Sequence, residues 1–599
     1  MIALLVRAWL TVHTHGVIDG DEALVGIQAE HILRGEYPVY YYAQPYMGSL
    51  EAYLIALLFT VTGPSVWALR AEPILLSLAI VWLTWRLAAA LAGEAGLSPF
   101  ARRCFMSIAA LLAAIPPLYD GVLEMRTYGG YIETFVLMLL LLLSMLRLKQ
   151  RWHAGTTRRE LAWRWGGSGV IVGLGFWVNP LIITAIVAVA LWMLGYCICE
   201  CVAIQRRTST GAHASIQTLV LDLYTSMVAI PGFLLGAAPA IIWGAHNHWA
   251  NVLYVLQHSN KTLATMADLL QLYVTCAGPR AIGGALPHED NLLAALHMLP
   301  LSIGICCTFS AVLLVGASWV WRRPLLLQMR RLVALPVLFG GFISVFFVVG
   351  STPPISIAVG CGRDLIGRYT TPLALVLPFF CAAIFTVLLA SVPGIGQRER
   401  ASGTGERGGA GPASGREASK LRPYTFGLVR WLLWGLLAIM LVSQTLSYGM
   451  THAALTFQSF ACGEAPANND AIIAYLQHEH VRYAWGITWV GNAITFKTNE
   501  RIIVADPRVI MIRATNLGRI PAHMRAVEAA DRPAMISLIQ HGDPLPPLIR
   551  ILHADHVTYQ SALFPSEPGF DVLVVTSLSR TVSPLESHDF WKVFPYCSR

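Results

Sequence analysis

The sequence predicts a polytopic all-α membrane protein of about eleven transmembrane helices, carrying a small extracytoplasmic α/β domain at its C-terminal end. Three observations lead there. Of 599 residues, 55% are hydrophobic and 13% charged, against about 25% charged in an ordinary soluble domain. Apolar runs of membrane-spanning length recur up to residue 450. Beyond that point the hydropathy changes, and short helical and strand patterns take over.

The expected spans are 1–15, 64–92, 104–119, 132–148, 166–179, 181–200, 222–244, 294–321, 332–350, 368–391 and 428–449. The first is short and carries Arg7, as expected of a truncated or mis-started first membrane helix; no conventional cleavable signal peptide is visible. The spans 166–179 and 181–200 form a hairpin at Asn179-Pro180, because proline ends one helix and starts the next.

Basic residues set the topology. Arg147, Lys149, Arg151, Arg158, Arg159 and Arg164 fill one loop, and Arg206 and Arg207 the next on that side. Arg322, Arg323, Arg330 and Arg331 mark a third, and the arginine-rich run near 398–422 a fourth. The helix count puts all four on one face, the cytoplasmic one. The opposite face receives Asp19, Asp21 and Glu22, the loops 116–131, 245–293 and 351–367, and the tail. The chain then divides into a transmembrane core, 1–394, a low-complexity cytoplasmic linker, 395–425, a last membrane helix, 426–450, and the domain 451–599. In that domain, 470–481 has helical periodicity, while 501–505 and 571–576 read as buried strands.

The net charge of +8 belongs to topology-setting loops and implies no nucleic-acid partner. The 11 cysteines are scattered. Cys197, Cys199 and Cys201 lack partners at zinc spacing, so no metal site is expected there. Cys462 and Cys597 lie near the two ends of the tail domain and either pair, if the compartment is oxidising, or stay free. No Walker A sequence and no G-x-G-x-x-G after a strand occurs, so no nucleotide site is expected.

The chemistry gathers on the outer face. The first outer loop carries the adjacent acids Asp21 and Glu22. A carboxylate at the water edge of a membrane protein is partly desolvated and suited to act as a base. The second loop, LYDGVLEMRTYGGYIET, offers the acids Asp120, Glu124 and Glu133 and the cation Arg126. Glu133 and Arg126 alternatively pair with each other. A later outer loop carries Arg363, Asp364 and Arg368, and 245–293 carries His246, His258 and Lys261. Arginine forks suit phosphate or pyrophosphate. Tyr37, Tyr40, Tyr41, Tyr42 and Tyr46 either line a sugar site with Gln44 or form part of the interfacial aromatic belt. Gly129-Gly130 reads as a turn or a close-packing point.

These elements, in this order, resemble the GT-C superfamily of membrane glycosyltransferases, in its protein O-mannosyltransferase and lipid A aminoarabinose transferase branch. The matching residues are Asp21-Glu22, the following ILRGEYPVYYYAQPYMGSLEAYL, GGYIET, FWVNPL (176–181) and GRYTTPL (367–373), spread over roughly residues 15 to 390. The resemblance implies transfer of a sugar from a polyprenyl-phosphate donor to a glycan, lipid or protein acceptor, with inversion, at the outer face of the plasma membrane. It implies Asp21 as catalytic base with Glu22 beside it. It implies that Arg368, Arg363 or Arg126 holds the donor phosphate, with Tyr41, Tyr42, Gln44 and Tyr369 near acceptor or sugar. Asp120, Glu124 and Glu133 compete as the second-loop acid. No obligatory metal or cofactor is expected, since arginine can neutralise the phosphate. Two other readings compete: a transporter or lipid flippase, which an inverted repeat and mid-membrane charges would favour, and a non-catalytic envelope-assembly scaffold on the same fold.

Overall fold

The computed structural model describes residues 1–206, 222–258, 265–284, 291–321, 323–349, 369–391, 422–458, 462, 465–511, 513, 518–566 and 570–594. Arg363, Arg368, Asp364, Lys261, Cys597 and most of the 395–425 stretch lie outside these residues.

The N-terminal half runs through α1 (Ile2–His13), α2 (Gly20–Leu33), α3 (Leu50–Thr62), α4 (Val66–Glu94), α5 (Pro99–Ala114), α6 (Leu118–Leu123), α7 (Tyr131–His153), α8 (Arg158–Val178) and α9 (Ile183–Arg206). Local chemistry sets several boundaries. The Ser65 hydroxyl accepts the Ala68 amide at the start of α4, and Ser98 with Pro99 opens α5. The Asn179 side chain accepts the Leu181 amide at 3.0 Å, so the hairpin turns at Asn179-Pro180 as expected.

Each expected span corresponds to a helix. Seven helices are long and apolar enough to cross a membrane among the described residues, and the bent pair Asp222–Gly236 and Ala238–His246 makes an eighth. The others fall short for identifiable reasons: α1 has 12 residues, α5 has 16, and α8 is interrupted by glycine and arginine. Those glycines let α8 approach the helix Ala229–Gly236. A Cβ on Gly169 would lie 2.1 Å from the Ala229 carbonyl, and one on Gly232 2.2 Å from that of Gly166.

The stretch 20–62, too polar to span as one segment, folds as α2 and α3. They lie between the bundle and the C-terminal domain. Ile18, Ala23, Leu24 and Ile27 share a buried cluster with Ala493 and Phe496. The C-terminal domain holds a five-stranded sheet in the order β2-β1-β3-β5-β4. Its strands are β1 (Tyr483–Trp485), β2 (Ile503–Ala505), β3 (Ala534–Gln540), β4 (Gln560–Phe564) and β5 (Phe570–Thr576). β1 runs parallel to both β2 and β3, while β5 is antiparallel to β3 and β4. The strand expectations at 501–505 and 571–576 and the helix beginning at Asp470 are all present.

Candidate active site

The sequence DGDE at 19–22 builds the start of α2. Asp19 is the N-cap: its side chain accepts the Asp21 amide at 2.9 Å, and Glu22 reaches back to the Asp19 amide at 3.1 Å. This reciprocal capping box satisfies helix-end donors and fixes Asp21 in the first turn. The helix end also favours negative charge.

Three acids here have three different surroundings. Glu22 is fully buried against Arg70, with Nη2 at 3.2 Å. Arg70 also donates to Thr14 Oγ1 at 2.9 Å and to the Val17 carbonyl at 2.6 Å. Asp19 Oδ2 accepts from Arg126 Nη1 at 3.2 Å and from the Tyr128 hydroxyl at 2.8 Å. Burial and the neighbouring Asp21 carboxylate push the Asp19 pKa up to about 6, against the opposing pull of Arg126. Asp21 Oδ1 is buried without a hydrogen-bond partner, and the guanidinium of Arg519 stands 4.0 Å away. Asp21 faces a pocket lined with Tyr41, Gln44, Tyr46, Met47, Tyr128 and Tyr131.

Arg519 comes from the C-terminal domain and was not singled out in the sequence. It donates to the Tyr42 carbonyl at 3.1 Å and lies over the Tyr41 ring at 5.7 Å. With the Gln44 amide turned to present its oxygen, that oxygen accepts from both terminal guanidinium nitrogens at 3.0 and 2.8 Å. Tyr46 stacks on Tyr254 at 5.3 Å, and Arg519 and Tyr369 both act electrostatically on Tyr254. The Tyr41 hydroxyl donates to the Asp21 carbonyl at 3.1 Å. Tyr41, Gln44 and Tyr46 thus belong to this site, whereas Tyr37 is 80% exposed. Tyr42 points its hydroxyl elsewhere, to His31 and Glu36.

Other expected site residues are engaged in structure. Arg126 is fully buried and, besides Asp19, donates to the Thr456 and Gln458 carbonyls at 2.6 and 2.8 Å. Its guanidinium holds the second loop against the chain after the last membrane helix, and it is not among the residues lining the Asp21 pocket. It does not pair with Glu133. Glu124 pairs with Arg7 at 2.5 Å, both buried, which gives the arginine in the first helix its purpose. Burial raises the Glu124 pKa and Arg7 offsets the rise. Asp120 is fully buried in α6. Glu133 groups with Glu51 and Glu72, all buried.

Nothing in the local sequence marks Glu51. Gly129 and Gly130 adopt φ of +80° and +85°, a left-handed turn that favours glycine. The turn aims three amides at Glu51: Tyr128 at 3.0 Å, Gly129 at 2.6 Å and Gly130 at 3.0 Å. Burial, then the Glu133 charge, hold the Glu51 pKa well above its usual value despite these bonds. Among the described residues two groups have the spacing to hold a cation: Glu51 with Glu72 and Glu133, and His31 with Glu500 and His523.

No family model matches the sequence, and no curated protein matches it. Solved structures do. ArnT from Cupriavidus metallidurans bound to undecaprenyl phosphate superposes with a TM-score of 0.53 at 12% identity, covering 96% of both chains. The same protein in the apo state gives 0.52 at 11%, with the same coverage. The chain has the GT-C fold. Oligosaccharyltransferase from Archaeoglobus fulgidus in the apo form is a weaker match, TM-score 0.49 at 11% identity, covering 99% of this chain and 77% of that one. Within this GT-C fold, the bundle, the first-loop helices and the C-terminal domain meet around Asp21.

Proposed function

We propose that this chain is an integral-membrane glycosyltransferase. It takes a sugar from a polyprenyl-phosphate carrier at the outer face of the plasma membrane and passes it, with inversion, to a glycan, lipid or protein acceptor. One observation carries the reading: a buried Asp21 oxygen without a hydrogen-bond partner, facing an aromatic-lined pocket. Such an oxygen is available to an acceptor hydroxyl or amine. Asp21 takes the acceptor proton, the acceptor atom attacks the anomeric carbon, and the bond from that carbon to the phosphate oxygen breaks. The phosphate leaves with the electron pair and stays on the lipid.

Charge develops on the leaving phosphate, and a planar guanidinium is suited to meet it. Arg519 stands beside Asp21 in that role. Arg363 and Arg368, outside the described residues, are further donors for the same phosphate. Tyr41, Gln44, Tyr46 and Tyr369 offer stacking faces and hydrogen bonds to sugar or acceptor. Glu22 supports the site through its pair with Arg70. The outer placement draws on the arginine-rich loops that the sequence pattern assigns to the opposite face. It also draws on disulfide-bonded Cys462 in the C-terminal domain, since disulfides persist in oxidising compartments.

The test is sugar transfer by the purified protein from a synthetic polyprenyl-phosphate-linked sugar. Time-dependent transfer that Asp21→Asn abolishes supports the reading. Failure of wild type to release polyprenyl phosphate from any such donor contradicts it.

A further inference from the structure

His31, Glu500 and His523 come from α2, from the turn before β2 and from the helix Pro521–Glu528. They converge on one oxygen. Glu500 Oε1 lies 2.8 Å from His31 Nε2 and 2.6 Å from His523 Nε2. His31 is 7% and His523 8% exposed.

The Tyr42 hydroxyl has one proton and donates it to the Glu36 carboxylate, 2.9 Å away. The Tyr42 oxygen must then accept from His31 Nδ1, at 2.7 Å. With its ring proton on Nδ1, His31 turns the Nε2 lone pair toward the Glu500 carboxylate. Two lone pairs facing each other at that distance repel, so either a second ring proton or a metal ion stands between them. Two imidazole nitrogens and one carboxylate oxygen are the ligand set of many zinc centres, and the remaining contacts suit that use. Tyr42 fixes the ring proton of His31 away from the ligand atom. Arg34 holds the other Glu500 oxygen, Oε2, as outer partners of metal ligands do.

We propose that His31 Nε2, His523 Nε2 and Glu500 Oε1 bind a divalent transition-metal ion of the zinc type. The ligand atoms lie within 4.8 Å of one another. Zinc–ligand bonds of about 2.0–2.2 Å in tetrahedral geometry require each imidazole nitrogen to move roughly 0.5–0.9 Å away from the Glu500 oxygen, within side-chain reach. The ion pins α2, which carries Asp21 at its start, to the domain that carries Arg519. The metal is therefore a positioning element for the site, and it takes no part in bond making.

The experiment uses the full-length protein in detergent, stripped with chelator and titrated with Zn²⁺ by calorimetry. The background carries serine at Cys197, Cys199 and Cys201, which removes the thiols that sit together in the sequence. Wild-type ligands are expected to bind one equivalent and to raise the thermal midpoint. His31→Gln and His523→Gln each weaken binding by more than the roughly 10–100-fold typical of losing an outer partner, while keeping the metal-free midpoint. Co²⁺ in the same site is expected to give d–d absorption without a thiolate charge-transfer band. The proposal is overturned if the stripped protein with all three ligands intact takes up no Zn²⁺. That result assigns the cluster to a doubly protonated His31. It is overturned equally if uptake is unchanged in the His31→Gln/His523→Gln double variant, or if the Co²⁺ spectrum shows thiolate ligation.

Discussion

Asp21 and Arg519 face each other 4.0 Å apart, one at the start of α2 and the other in the C-terminal domain. An acid with an open oxygen and a cation shaped for phosphate are the two charges that glycosyl transfer from a lipid phosphate needs. The site is completed only when the C-terminal domain is docked.

Arg519→Ala is expected to weaken donor use. Steady-state kinetics against the lipid donor should show a raised KM and a lowered kcat/KM, with Lys restoring only part because an ammonium lacks the bidentate fork. The same comparison at Arg368 and Arg363 ranks the three cations. Unchanged donor kinetics in Arg519→Ala would place the phosphate elsewhere.

Glu22→Gln is expected to act through stability. It leaves Arg70 buried without its carboxylate, and breaking a buried pair costs about 3–5 kcal/mol. Thermal unfolding in detergent should show a lower midpoint, partly recovered in a Glu22→Met/Arg70→Met double variant. Activity per folded molecule should fall far less than in Asp21→Asn.

The eleven apolar segments, the Asn179-Pro180 hairpin and the strands at 501–505 and 571–576 were legible because each is a local pattern of hydropathy and proline. The Asp-Glu pair was legible as a feature. What separates the two acids is contact with Arg70, which no local pattern encodes. Arg519 was illegible because it lies 477 residues from Tyr42, whose carbonyl it holds. Arg126 was read as a phosphate ligand because an outer-loop arginine looks free until its burial against Asp19 and two carbonyls is seen. Glu51 looked like one acid in an apolar helix. Its partner is the Gly129-Gly130 turn, and only the fold brings them together.

Gly26→Ala is expected to loosen the docking of the C-terminal domain. A Cβ there would lie 2.5 Å from the Phe496 ring, and overpacking of this kind costs about 1–3 kcal/mol. Limited proteolysis should cut the variant faster between the last membrane helix and β1. Equal cleavage rates would show that the ring yields.

Asp19 sets a pH dependence. Its folded pKa is raised to about 6 from 3.8, so folding binds a proton in that window. Its contribution to stability is fully present below the unfolded value and is lost as pH rises through about 6. Asp19→Asn should remove that component from the thermal midpoint measured between pH 4 and pH 7. Parallel curves for wild type and variant would contradict the assignment.

The most direct measurement is the rate of sugar transfer from a polyprenyl-phosphate donor by purified wild type and Asp21→Asn. The substitution keeps the size of the side chain and removes the oxygen that takes the acceptor proton. A loss of about 10²–10⁴-fold in kcat is predicted, the usual contribution of a general base, with insertion, folding and lipid-donor binding unchanged. Equal rates would rule out Asp21 as the base and contradict the account.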